Sequence, residues 1–124
     1  MKLGLQIVVG ILSLIPGFFG LLNTWIGAAR FLPPETITPL MDSQFRFQSA
    51  VYFGLAIVIW WILPNIDKHT AIFRILIFTI FLGGLARLLS YQAFGYPNDI
   101  MFGAMILELS LPVLILWHNS IRVK

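Results

Sequence analysis

Four long apolar stretches, separated by short polar or proline-containing breaks, organise the chain. They cover residues 3–26, 45–63, 71–91 and 100–117. Each approaches the ~20 residues needed to cross ~30 Å of hydrocarbon at ~1.5 Å per residue. In lipid every backbone N–H and C=O must find a partner inside the segment, so each stretch is expected to be a helix. The pattern predicts an all-α fold, an integral membrane bundle of four transmembrane helices in which residues 1–124 form a single membrane domain. The first stretch is longer than the usual ~7–15-residue core of a signal peptide, and it reads as a span.

The breaks carry helix-ending chemistry. Pro33-Pro34 closes the first helical region, because proline cannot continue a hydrogen-bonded helix. Asp42 or Ser43 is expected to cap the second helix, and Pro64-Asn65 to end it. Asp67 is expected to cap the third helix. Gly95 and Pro97-Asn98-Asp99 separate the third from the fourth. Pro16 is expected to bend the first helix near its middle.

Composition supports the same class. The chain is 59% hydrophobic and 10% charged, against about 25% charged in a soluble domain. Too few charges remain to cover a water-facing surface. The net charge of +3 is spread over helix ends without a Lys/Arg cluster. It fits lipid headgroups and topology rather than nucleic acid. Without cysteine there is no catalytic thiol, disulfide or thiolate metal site.

The charges also set an orientation. With four spans, Lys2, Lys68, Arg74, Arg122 and Lys124 fall on one side, and Arg30 and Arg46 on the other. The positive-inside rule then places both termini in the cytoplasm. Trp60, Trp61 and Trp117 near one set of ends, with Trp25, Tyr91 and Tyr96 near the other, read as an interfacial aromatic belt. His69 and His118 lie at helix ends, where solvation is expected.

Small residues mark close approaches. Gly10, Ser13, Gly17, Gly20, Thr24 and Gly27 alternate spacings of three and four, and so share one helical face. Such a stripe lets a second backbone come close. Packing within the bundle is the expected use, and a dimer or partner face the alternative. Gly83 and Gly84 make a similar surface beside Arg87.

Charged residues within spans are costly and therefore informative. Arg87 in the third helix and Glu108 in the fourth are expected at similar depth, paired with each other and facing the interior. Asp42 and Arg46 have the i,i+4 spacing of a helical ion pair. With Gln48 and Ser90, these residues are the candidate ligand site: Asp42, Arg46, Gln48, Arg87, Ser90 and Glu108 in one polar pocket. Pro112 offers no N–H to the Glu108 carbonyl and is expected to bend the fourth helix there.

Catalytic signatures are sparse. No His/Asp/Glu group has metal-ligand spacing, no phosphate-binding loop is present, and no cofactor or metal is implied. One enzyme class stays open, an isomerase-like protein acting on an apolar substrate with Glu108 as acid or base.

The pieces Ile15-Pro16-Gly17, Leu40-Met41-Asp42-Ser43-Gln44-Phe45-Arg46-Phe47, Gly83-Gly84-Leu85-Ala86-Arg87-Leu88-Leu89-Ser90, and Glu108 with Pro112 resemble a known family. It is a family of small bacterial four-helix membrane proteins catalogued as a domain of unknown function, near the DoxX-like membrane proteins. The resemblance implies a four-helix bundle in a bacterial inner membrane and supplies no activity. The leading expectation is a non-enzymatic protein that binds a lipid-like or amphipathic ligand, or a partner membrane protein, through the polar pocket. The alternatives are the intramembrane enzyme and an accessory subunit docking through its first helix. Membrane lipids are the expected surroundings, with a partner membrane protein or a second copy as further company.

Overall fold

A computed structural model describes residues 2–122, and every regular element among them is helical. Lys124, one of the basic residues assigned to the cytoplasmic side, lies outside the described residues. Helix α1 covers Lys2–Leu14, α2 Gly20–Ile26, α3 Pro39–Ile62, α4 Thr70–Phe94, α5 Asp99–Ser110 and α6 Val113–Ile121. Among the described residues, three continuous helical stretches are long and apolar enough to cross a membrane: Lys2–Arg30, Pro39–Lys68 and Thr70–Phe94. The pair α5 and α6, bent by 41°, makes a fourth if it is counted as one span. In the most apolar window of each of the three stretches, only 33%, 28% and 28% is buried. Most of the apolar surface therefore faces outward, the reverse of what water favours.

Each boundary has a local cause. Pro16 supplies no N–H to the helix, and Ile15–Phe19 widens into a π-turn between α1 and α2. Where a bend was expected at Pro16, the chain has this π-turn inside one continuous helical stretch, Lys2–Arg30. A 3₁₀ turn over Gly27–Arg30 follows, with Gly27 at φ 79°. The second helix starts earlier than expected. Thr38 is extended and its Oγ1 accepts from the Met41 N–H at 3.1 Å, while Pro39 takes the first helical position, where a missing N–H costs nothing. Thr38, not Asp42 or Ser43, is thus the cap.

Pro64 does not stop the chain's helical path at once. A 3₁₀ segment over Leu63–Lys68 carries it on, broken in φ/ψ only at Asn65. Asp67 does not cap α4; it sits inside that segment, and its carboxylate pairs with Lys2 Nζ at 3.0 Å. Helix α4 runs to Phe94 and ends at Gly95, whose φ of 94° few other residues adopt. Asn98 caps α5 by accepting from the Met101 N–H at 2.7 Å. At Pro112 the helix bends as expected. The Glu108 carbonyl, without an i+4 donor, takes a 3.4 Å bond from the Leu111 N–H instead.

The residues fall into two compact units. One is Gln6–Pro64; the other joins the chain through Leu5 with the residues from Asn65 onward. In the first, α3 packs along α2 and the π-turn. The small-residue stripe makes that approach possible. Trp60 Nε1 donates to Ser13 Oγ at 2.8 Å, and the Trp60 ring lies where a Cβ on Gly17 would be, 2.6 Å away. A Cβ on Gly20 would stand 2.9 Å from Phe53 N and 3.0 Å from Ser49 O, so α2 and α3 meet backbone to backbone there. Trp60 is therefore more than an interfacial anchor.

In the second unit α4 packs on α5. Leu76, Ile77 and Ile80 of α4 are buried, as are Met105, Leu111 and Leu114. His118 corrects an expectation. It is fully buried rather than solvated, stacked on Phe73 at 4.5 Å, with Nε2 donating to the Ile66 carbonyl at 2.7 Å. Its Nδ1 is buried without a hydrogen-bond partner among the described residues. Leu111, Leu114 and His118 share one face at helical spacing, a signal legible in the sequence.

Candidate functional site

The charged candidate residues form two ion pairs, Asp42–Arg46 in one unit and Arg87–Glu108 in the other. Within Gln6–Pro64, α2 ends at Gly27 and leaves its last carbonyls without helical donors. Arg46 of α3 supplies them. Its Nη1 donates to Thr24 O at 3.1 Å and Trp25 O at 2.8 Å, and its Nη2 to Ile26 O at 3.0 Å. A cation at a helix C-terminus also suits the helix dipole. Asp42, one turn earlier, accepts from Arg46 Nε at 2.8 Å and from the Ala28 N–H at 2.8 Å. The expected i,i+4 pair is present, and its polar atoms clasp the α2–α3 connection. Gly27 is fitted to this clasp, since a Cβ there would collide with Asp42 Oδ1 and Arg46. Gln48, two residues beyond Arg46, is exposed.

In the other unit, Arg87 Nε donates to Glu108 Oε1 at 2.7 Å, the pair expected between the third and fourth spans. The glycines before Arg87 make room for it. A Cβ on Gly84 would lie 3.0 Å from Glu108 Cβ and 3.2 Å from Leu109 N, so α4 and α5 touch closely at this level. Glu108 is deep, its side chain 7% exposed, while that of Arg87 is 39% exposed. The guanidinium thus reaches from a buried carboxylate towards the surface.

It reaches into a cleft. A cavity of about 80 Å³ is lined by Arg87, Ser90, Tyr91, Gly95, Pro97, Met101, Phe102 and Met105. Its walls come from the end of α4, the turn to α5 and the first turns of α5. An aromatic row borders it: the Phe102 ring centroid lies 5.7 Å from that of Tyr91 and 5.4 Å from that of Tyr96. Tyr96 hydrogen-bonds Asp99, which raises its hydroxyl above the ordinary phenol value. Glu108 does not line the cleft; it stands behind Arg87. Of the six candidate ligand residues, the cleft includes Arg87 and Ser90, and Glu108 through its pair. Asp42, Arg46 and Gln48 belong to the other unit. Tyr91 and Met101 stand on the faces of Arg87 and Glu108 by helical spacing, whereas Phe102 and Met105 are placed at the cleft only by the structure, since apolar residues in a span carry no mark of which ones border a hollow.

No group of three or more metal-ligating side chains occurs among the described residues. The chain matches the family model described as a domain of unknown function, DUF4345, over residues 4–118. The chain belongs to the DUF4345 family. The match runs from Gly4 in α1 to His118 in α6, so the Asp42–Arg46 and Arg87–Glu108 pairs and the cleft lie inside it. No curated protein and no solved structure matches the chain.

Proposed function

We propose that this chain is a multi-pass protein of a bacterial inner membrane, with both termini cytoplasmic, that binds the polar end of a lipid-like or small amphipathic molecule in the Arg87 cleft. The observation that carries the proposal is an arginine held by a buried carboxylate and turned into a hollow at the end of a span. A bare structural pair has no need of a hollow beside it. At about 80 Å³ the cleft holds roughly two or three waters' volume. It falls far below the ~300–1,000 Å³ of a pocket that encloses a whole ligand. It suits one polar group, with the apolar remainder lying along exposed residues on the same side of α4, such as Phe94. Kinship with the DoxX-like membrane proteins belongs to the same reading and rests on the sequence pieces quoted above.

The other expectations gain less. Glu108 is engaged by the Arg87 guanidinium at 2.7 Å and does not line the cleft, so it presents no free carboxyl to a substrate there. The glycine stripe is taken up by α3, which favours internal packing over a docking face.

The test is native mass spectrometry of protein released from nanodiscs of a bacterial total-lipid extract, which holds uncharged amphiphiles beside the phospholipids. Wild type is compared with Met101→Trp, which fills the cleft and leaves the Arg87–Glu108 pair intact. A bound mass retained by wild type and lost in Met101→Trp is expected. Equal retention by both, or a clean apo mass in both, would remove the proposal.

A further inference from the structure

Charge accounting at the cleft narrows the kind of polar group it accepts. This step rests on the binding reading above. Arg87 is the one Lys, Arg, Asp or Glu side chain that lines the cleft, and it is already paired with Glu108 at 2.7 Å. An anionic headgroup entering the cleft would put two carboxylate-type charges on one cation. In surroundings where charge is poorly solvated, that excess anion is not compensated. A neutral oxygen meets no such penalty. The guanidinium has five N–H donors in a planar fork, and the Nε bond to Glu108 uses one. A hydroxyl or carbonyl oxygen accepting from the fork makes a charge-assisted hydrogen bond while the site stays neutral. Ser90 and Tyr91, on the same cleft, add hydroxyls able to donate or accept. The walls formed by Met101, Met105 and Phe102 suit the first carbons of an apolar chain.

We infer that the Arg87 cleft selects uncharged amphiphiles, those whose polar end is a hydroxyl or carbonyl, and rejects fatty-acid-like and phosphate-bearing anions. Glu108 acts here as the residue that sets specificity from behind. It touches no ligand, but it cancels the charge that would otherwise recruit an anion.

A matched pair of probes tests this on the full chain. Oleyl alcohol and oleate share an apolar tail and differ by one charge. Each is titrated into nanodiscs of phosphatidylcholine at about pH 9, where the acid is ionised despite the upward shift that a bilayer gives a carboxyl. Occupancy is read by native mass spectrometry. Wild type is expected to retain oleyl alcohol at least about tenfold better than oleate. Glu108→Gln, which frees the Arg87 charge, is expected to shift that ratio about tenfold or more towards oleate. The wild-type comparison stands even if the variant fails to fold. Wild type retaining oleate as well as the alcohol, with both lost in Met101→Trp, would overturn the selectivity and leave the binding site standing. Neither probe retained by wild type, or both retained by Met101→Trp, would overturn the site itself and the selectivity with it.

Discussion

Replacing Arg87 with leucine strands the Glu108 carboxylate, whose side chain is 7% exposed. Removing one partner of a buried pair costs about 3–5 kcal/mol, and the lower end is expected because Arg87 itself is 39% exposed. The double variant Arg87→Leu with Glu108→Leu should recover most of that loss, since the unpaired charge is gone. Thermal unfolding in detergent reads both, and equal melting temperatures for Arg87→Leu and wild type would dissolve the pair's structural role. Gly27 gives a second expectation. Its φ of 79° with ψ of −160° is a region open essentially to glycine, costing about 1–3 kcal/mol for another residue. In Gly27→Ala the new Cβ would also meet Asp42 and Arg46. The loss should therefore exceed the strain alone, and a melting temperature within error of wild type would contradict the clasp.

At the scale of elements, the stripe on α1 and α2 decides how closely α3 can lie. The obstacle differs along it. At Gly17 an added Cβ meets the Trp60 ring, a side chain that can swing at the expense of its bond to Ser13. At Gly20 it meets backbone atoms of Phe53 and Ser49, which cannot swing. Overpacking costs about 1–3 kcal/mol. Gly20→Ala should fall at or above the top of that range, and Gly17→Ala below it. The order is checked by thermal unfolding of the two purified variants, and a larger loss for Gly17→Ala would mean that α2 and α3 are not in backbone contact. The bend between α5 and α6 has a comparable local origin. Pro112 removes one donor, and the chain answers with a shorter-range bond to Glu108 O.

For the whole molecule, the outward-facing apolar surface is the governing feature. Protein with three or four such helices should stay in the pellet after an alkaline carbonate wash of membranes. Release into the supernatant would contradict the membrane reading. Under the proposed topology, a fluorescent protein fused after Lys124 should glow, and alkaline phosphatase fused there should be inactive, because that enzyme folds only outside the cytoplasm. The opposite pair of results would invert the orientation.

Much of this was legible in the amino-acid order. The four apolar stretches, the breaks at Pro33-Pro34 and Pro97-Asn98, the Asp42–Arg46 spacing and the Arg87–Glu108 pairing all follow from local rules. Backbone satisfaction in lipid, proline's missing donor and the cost of a lone charge act along the chain and need no knowledge of its neighbours in space. Boundaries were legible only roughly, because caps compete: Thr38 with Pro39 starts α3 before Asp42 is reached. What only the tertiary structure decided depends on which face meets which. Arg46 finds carbonyls 20–22 residues away, and His118 finds one 52 residues away and becomes buried. Trp60 closes on Ser13 across 47 residues. The cleft exists because α4, its glycine-ended turn and α5 leave a gap that no single stretch contains. An apolar helix is compatible with many neighbours, so its sequence states what it is able to bury and leaves the partner to three-dimensional packing.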